Sequence, residues 1–338
     1  MSQQSRHGIV DRRTFVRSMA GFGGAALAAT YGGAPLLAAG LSEGWATAAD
    51  WRSQIGLQLF TVRDRTAQDY PGTLLKVGQI GYKEVQTTGS YGEHSADQIR
   101  AYLDAAGLRA PTTHVSPAMD DTLERTLEGY QRIGHRYTTI STRAPRSTAP
   151  RTPSSAAAAA PGQRPPAPAQ TLDSAQRMAE ALNRAGETTQ RFGIKVIYHN
   201  HTNEFAPLAD SPLRPYDVLL AETDSDLVAM ELDIGWAVAA GQDPLEMFRA
   251  NPGRYEVWHV KDLADLASLA GLSTQAERQR AAKIVAMGDG EIDYRPIFAA
   301  AELAGMKHYY IEQDSAPQSG DSIAAAARSY QSLMRTLS

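Results

Sequence analysis

Four of the eight histidines in this sequence end short segments rich in apolar and β-branched residues, and two carboxylates end similar segments. These six residues are His114, His199, His201, Asp233, His259 and Glu312. A buried ionised carboxylate is costly unless it is paired or bound to a metal. Imidazole and carboxylate groups together suit divalent ions such as Mn, Co, Mg or Zn. The pattern therefore predicts a metal site, although each histidine taken alone is more simply explained as a hydrogen-bonded residue at the rim of a fold.

A repeated unit would place these segment ends on one face of the molecule. The unit is an amphipathic helix, a glycine and a β-rich run, as in residues 79–85, 132–137, 191–196 and 303–308. Glycine suits the left-handed residue that ends a helix, and the run after it is typical of a buried parallel strand. Strands are expected to start near Ile55, Lys83, Arg109, Tyr137, Ile194, Val228, Glu256 and Tyr309. Eight strands alternating with helices predict a (β/α)8 TIM barrel, whose active site lies at the carboxyl ends of the strands.

Two intervals between strand starts exceed the roughly 30 residues of one strand-helix-strand step. Residues 142–170 explain the first, because they are almost all Ala, Pro, Ser, Thr, Arg and Gly and cannot bury a core. We expect a disordered insertion there, although a local frame error in the gene would give the same composition. A helix-like stretch at 274–284 lies in the second interval and predicts an extra helix. An open doubly wound sheet is the alternative fold, but no Gly-x-Gly-x-x-Gly follows the first strand.

The first 48 residues are typical of a twin-arginine export signal. Arg12 and Arg13 precede a stretch rich in Gly, Ala and Leu, and residues 46–48 offer a small-x-small cleavage site. A retained membrane anchor or an alanine-rich helix is the alternative. We expect a periplasmic or secreted protein with no membrane span after cleavage. Lysine at both arginine positions should hold the precursor in the cytoplasm, and unchanged export would count against this route.

Composition limits the remaining chemistry. The chain has no cysteine, which excludes disulfides, thiolate metal sites and cysteine nucleophiles. Its formal net charge of -4 argues against a nucleic-acid partner. The sequence does not indicate an oligomeric state.

Six motifs, in the order expected for a barrel, resemble the sugar phosphate isomerase/epimerase family. They occupy residues 55–64, 198–201 (Tyr-His-Asn-His), 231–236, 259–262 (His-Val-Lys-Asp), 288–293 and 310–312. The resemblance covers residues 54–337 apart from the tract at 142–170. It implies that the barrel is of the xylose-isomerase-like kind.

This resemblance also implies four metal ligands, one from each of strands five to eight. By position, three of them are Asp233, His259 and Glu312. His199 stands at the strand-five position, where the family has a glutamate. The family's sugar epimerases move a proton with the glutamates of strands five and eight, and only Glu312 matches here.

The missing glutamate leaves the second proton-transfer role to His201 or Glu204. Lys261 could neutralise a developing oxyanion, or it could simply extend along the barrel mouth. Substrate binding is expected from four strand-end residues, with ordinary core and rim packing as the alternative for the aromatic pair. These residues are Gln58, Phe60, His114 and Trp236.

Together these features predict an exported isomerase or epimerase that uses a divalent metal to move a proton next to a carbonyl or hydroxyl of a carbohydrate. Export favours a non-phosphorylated sugar or keto-sugar. The departure at His199 leaves two alternatives open: a lyase that performs β-elimination on keto-glycosides, and a non-catalytic carbohydrate-binding barrel. Export, acidic charge and Trp236 argue against an apurinic endonuclease relative, and a two-carboxylate glycosidase needs no histidine cluster.

Overall fold

The computed structural model describes residues 51–89, 91–140 and 170–338. Eight parallel strands in this part of the chain close into a barrel in the order β1-β2-β3-β4-β5-β6-β7-β10. They are β1 (Gly56–Gln58), β2 (Glu84–Thr87), β3 (Arg109–Thr113), β4 (Tyr137–Thr139), β5 (Lys195–His199), β6 (Val228–Asp233), β7 (Val257–Val260) and β10 (His308–Ile311). Each strand begins within one residue of the start expected from the sequence. The TIM-barrel prediction is therefore confirmed.

Helices connect the strands, and several begin and end with the expected local signals. They are α1 (Arg63–Thr66), α2 (Tyr70–Ile80), α3 (Ala96–Ala106), α4 (Leu123–Ile133), α5 (Leu172–Thr189), α6 (Pro215–Glu222), α7 (Ile234–Ala239), α8 (Pro244–Ala250), α9 (Gln275–Ala281), α10 (Tyr294–Ala299), α11 (Ala301–Ala304) and α12 (Ser322–Thr336). Helix α3 starts with a capping box between Ser95 and Gln98. It ends at Gly107, whose φ of 66° is the left-handed conformation that glycine adopts without strain.

Side-chain alternation along the strands determines which residues face the barrel interior at its mouth. Near the middle of the barrel, five inward-facing residues form an apolar layer: Tyr137, Ile197, Ala229, Val257 and Tyr310. Because successive side chains of a strand point to opposite faces, the residues two and four positions further along also face inward. On β5, β6, β7 and β10 those residues are histidines, carboxylates and one lysine. The barrel interior thus changes from apolar to polar towards its carboxyl-terminal mouth.

An insertion after β7 contributes to the wall beside the mouth. Strands β8 (Asp262–Ala264) and β9 (Lys283–Val285) pair antiparallel, and α9 lies between them in the chain. This helix matches the extra helix expected at 274–284. Leu263 and Leu269 of the insertion share a buried cluster with Trp236 of α7. The insertion therefore fixes the aromatic residue that follows β6.

Two sequence predictions fall on other parts of the chain. The export signal predicted at residues 1–48 lies outside the described residues, as does the tract predicted at 142–170 apart from Gln170. Among the described helices, none is long and apolar enough to cross a membrane.

Candidate metal centre and active site

Four side chains from neighbouring strands converge at the barrel mouth. His199 ends β5, Asp233 ends β6, His259 lies in β7 and Glu312 directly follows β10. Strand register contributes to this convergence, since Asp233 pairs with His259 across β6 and β7. One ligand atom from each of the four lies within 4.8 Å of the others. The structure therefore brings together the complete ligand set that the sequence resemblance implied, including His199.

The spacing of these atoms fits a divalent ion. His259 Nδ1 lies 2.9 Å from Glu312 Oε2, 3.1 Å from His199 Nε2 and 3.6 Å from Asp233 Oδ2. Ligand atoms about 2.1 Å from a tetrahedral metal are roughly 3.4 Å apart. Asp233 Oδ2 is also buried, and it faces both imidazoles as well as the Lys261 ammonium. Two imidazoles and two carboxylates at this spacing could hold Zn, Mn, Co or Mg.

The two candidate imidazole ligands have pKa values shifted in opposite directions. Burial lowers the pKa of His199 to about 4, so this ring is neutral near pH 7 and keeps a lone pair available. Burial also lowers the pKa of His259, but Glu231 and Glu312 outweigh it and raise that pKa well above its usual range. In the metal-free protein His259 therefore carries a proton, which a metal must displace on binding.

Lys261 is a buried cation at the edge of this cluster. Its Nζ lies 2.9 Å from Asp233 Oδ2, 3.0 Å from Glu312 Oε2 and 2.7 Å from Asp314 Oδ2. Burial lowers the pKa of Lys261, but the three carboxylates outweigh it and raise that pKa above its usual range. The ammonium also lies 4.9 Å from the Trp236 ring centre. It therefore compensates the charge of two candidate ligands.

A buried polar layer beneath the cluster orients His259. Gln86 Oε1 accepts a hydrogen bond from His259 Nε2 at 2.6 Å, and Glu231 Oε1 lies 3.2 Å from the same nitrogen. Gln86 and His114 also contact the Glu231 carboxylate. Burial raises the pKa of Glu231, but His114 and His259 outweigh it and hold that pKa well below its usual range. These contacts engage Nε2 and leave Nδ1 facing the other candidate ligands, as is usual for metal-binding histidines.

Three residues of this site were not among the candidates predicted from the sequence: Gln86, Glu231 and Asp314. The substrate-binding roles expected for Gln58 and His114 stay predictions. Gln58 is fully buried, donates to Gln86 Oε1 and accepts from Phe60 N. His114 is partly buried against Glu231. Strand alternation could have indicated Glu231 and Asp314, because each lies two positions along the chain from a candidate ligand, Asp233 or Glu312. No such signal pointed to Gln86.

The two candidates for the second proton-transfer role have different surroundings. Glu204 Oε2 accepts from the His201 backbone N–H at 2.9 Å, and Oε1 accepts from the Tyr198 hydroxyl at 3.4 Å. His201 is exposed, and its ring centre lies 4.9 Å from that of His199 and 5.9 Å from that of Trp236. The His201 imidazole therefore stands beside the cluster, whereas the Glu204 carboxylate supports the loop that carries it.

Comparison with known proteins identifies the family. The model of the xylose isomerase-like TIM barrel family matches residues 74–334. This chain belongs to that family. A sugar phosphate isomerase/epimerase of Parabacteroides distasonis superposes with a TM-score of 0.61 at 24% identity, covering 83% of this chain and 93% of the other. A structure of IOLI protein with a bound zinc atom gives a TM-score of 0.58 at 12% identity, covering 84% and 98%. At these identities the likeness shows the fold alone.

Curated relatives match a shorter part of the chain. The inosose dehydratase of Lacticaseibacillus casei is 30% identical over 173 residues, which are 47% of this chain and 54% of the relative. The chain thus spans about half the length of the curated relatives it matches.

Replacing Glu231 by glutamine tests how this family member orients His259. The change keeps the shape of the side chain and removes the charge beside Nε2, so metal affinity is expected to fall about 10- to 100-fold. Titration of the metal-free protein with Zn²⁺ or Mn²⁺ measures the effect. The exposed Glu128→Gln is the matched control. Equal affinities for Glu231→Gln and the unaltered protein would show that the buried layer does not act on the metal centre.

Proposed function

We propose that this protein is a metal-dependent lyase that acts on a cyclic polyhydroxylated ketone. It removes a proton from the carbon next to the carbonyl and expels the oxygen substituent on the following carbon. The observation that carries this proposal is the pair of contacts that hold Glu204 in its loop, because they leave exposed His201 as the proton-transfer group beside the cluster. One such group suffices for elimination on a single face, whereas epimerisation requires an acid and a base on opposite faces of one carbon.

The proposed step balances with this group alone. The His201 imidazole takes the proton from carbon, and the carbon–hydrogen electron pair becomes the new C=C bond. The β carbon–oxygen bond breaks, and the leaving oxygen takes the proton back from the imidazolium. The products are an α,β-unsaturated ketone and either water or an alcohol, so no oxidant or reductant is required.

Positive charge near the carbonyl oxygen assists this step. A divalent ion held by His199, Asp233, His259 and Glu312 would supply Lewis acidity there. The Lys261 ammonium, buried beside two of those ligands, adds a fixed positive charge that stabilises a developing enolate oxygen. Glu312 is less suited to act as the base, because Lys261 and His259 outweigh its burial and lower its pKa.

The charge around the cluster favours a substrate without phosphate. Four carboxylates lie within contact of the cluster residues, and they outnumber the combined positive charges of Lys261 and a bound divalent ion: Glu231, Asp233, Glu312 and Asp314. A phosphate dianion would approach an excess of carboxylates there. The inosose dehydratase name of the curated relatives also supports elimination of water from an uncharged cyclic polyol ketone as the reaction class.

Epimerisation is the second candidate function. It is favoured by Glu312, which stands where the family's epimerases have their strand-eight glutamate, and by the name of the Parabacteroides distasonis structure. In that case Glu312 and His201 would exchange protons with opposite faces of one carbon.

Reaction in D2O distinguishes the candidates. Metal-loaded protein is incubated with a keto-inositol and with a 3-keto-glucoside, and NMR follows the products. We expect an enone together with release of water or the aglycone alcohol. Deuterium incorporation with a stereoisomeric product and no enone would replace the lyase by an epimerase. No reaction with Zn²⁺, Mn²⁺, Co²⁺ or Mg²⁺ would overturn both and favour a non-catalytic carbohydrate-binding barrel.

A further inference from the structure

A second cavity opens on the same face of the barrel, beyond β1 and β2. It has a volume of about 460 Å³ and is lined by the segments that follow these two strands and by the start of α2. This volume lies within the range of about 300–1,000 Å³ that is typical of small-molecule sites. None of the four candidate metal ligands lines it. The cavity is therefore formed by other residues than the metal centre.

Four of the eleven residues that line the cavity have aromatic rings. They are Phe60, Tyr70, Tyr91 and His94. The Tyr91 ring is held in place, since its hydroxyl lies 2.9 Å from Thr87 Oγ1 and 2.5 Å from His135 Nε2. Fixed aromatic faces bind another ring through its apolar faces at a small entropic cost. The chemistry of the wall thus selects a ring with apolar faces.

Arg63 connects this cavity to the metal centre. Its guanidinium carbon lies 4.0 Å from the Phe60 ring centre, and Nη2 donates to the backbone oxygen of Asp314 at 3.0 Å. The Asp314 carboxylate in turn contacts Lys261. One side chain therefore forms part of the cavity wall and touches the strand end that holds the buried cation. The cavity wall is thus linked by direct contacts to the residues that surround the metal centre.

We propose that this cavity is a leaving-group subsite, so that the substrate is a keto-glycoside with its ketone ring at the metal centre and its second ring in the cavity. The inference rests on the proposed elimination and adds the substrate class. Cleavage of the glycosidic carbon–oxygen bond at the β carbon releases the second ring as an alcohol from this subsite. A phenolic ring and a second sugar ring both offer apolar faces, and the experiment below separates them.

Binding measurements test the subsite without requiring turnover. Calorimetry compares phenyl β-D-glucoside, a glucose disaccharide and methyl β-D-glucoside on the metal-loaded protein. We expect the phenyl glucoside or the disaccharide to bind about tenfold more tightly than the methyl glucoside. The compound that gains affinity identifies the kind of second ring. Equal affinities for all three compounds would overturn the subsite even if elimination had been demonstrated.

Two variants locate the gain in affinity. Phe60→Ala removes one aromatic wall from a half-buried position, and Thr88→Trp fills the cavity from its other side. Both should abolish the preference for the second ring and leave the metal content unchanged. The exposed Leu75→Ala on the outside of α2 is the control and should retain the preference. A preference that survives in both Phe60→Ala and Thr88→Trp would place the second ring elsewhere and contradict the proposal.

Discussion

Replacing Asp233 by asparagine is expected to remove the bound metal and to lower turnover by more than about a hundredfold. The substitution keeps the size of a fully buried side chain and removes the charge that faces His199, His259 and Lys261. Asp233 also caps the start of α7, since its Oδ1 accepts a hydrogen bond from Trp236 N. The asparagine oxygen can accept the same hydrogen bond. The fold should therefore survive the change.

Mass spectrometry of the purified variant measures metal content, and circular dichroism verifies the fold. Asp121→Asn changes an exposed aspartate and serves as the control. Full metal content and full turnover in Asp233→Asn would mean that the strand-end carboxylates have a structural role and that the metal site is wrongly placed.

Replacing Lys261 by methionine is expected to destabilise the metal-free protein strongly. The fully buried ammonium contacts Asp233, Glu312 and Asp314, and its removal leaves buried carboxylates without a counter-charge. Breaking one side of a buried ion pair costs about 3–5 kcal/mol, which corresponds to a decrease in Tm of roughly 6–20 °C. Because the pKa of Lys261 is raised, the ammonium stays charged in the folded state as the pH increases towards 9. The loss should therefore be nearly independent of pH from about 6 to 9.

Thermal unfolding with and without Mn²⁺ measures this effect. A divalent ion neutralises part of the same excess charge, so Mn²⁺ should raise the Tm of Lys261→Met by more than it raises that of the unaltered protein. Lys283→Met removes the exposed partner of Asp265 and provides the comparison. If Lys261→Met and Lys283→Met lose equally little stability, the Lys261 ammonium does not compensate the negative charge of the cluster.

Much of the fold followed from short-range patterns. A glycine after most of the helices and the roughly 30-residue repeat sufficed to place the barrel strands. Helix α6 is an exception, since Thr223 follows it. Strands β8 and β9 were not anticipated. They are three residues each and are separated in the chain by α9, so no hairpin turn signals their pairing.

The site was only partly predictable. Its four candidate ligands could be selected because each lies at a strand end, and their role in metal binding stays a prediction. Glu231 and Gln86 lie one layer deeper, where their contacts depend on strand register around the closed barrel. Asp314 lies beyond the end of β10, and its contact with Lys261 depends on how two separate strand ends converge. Sequence spacing does not encode that convergence.

The most direct test of the metal centre is an anomalous diffraction map from crystals of the protein loaded with Mn²⁺. We expect one peak bonded to His199 Nε2, Asp233 Oδ2, His259 Nδ1 and Glu312 Oε2, with Lys261 displaced from at least one of its two carboxylates in that set. A peak held instead by His114 and Glu231, or no peak at the barrel mouth of a catalytically active crystal, would contradict this expectation.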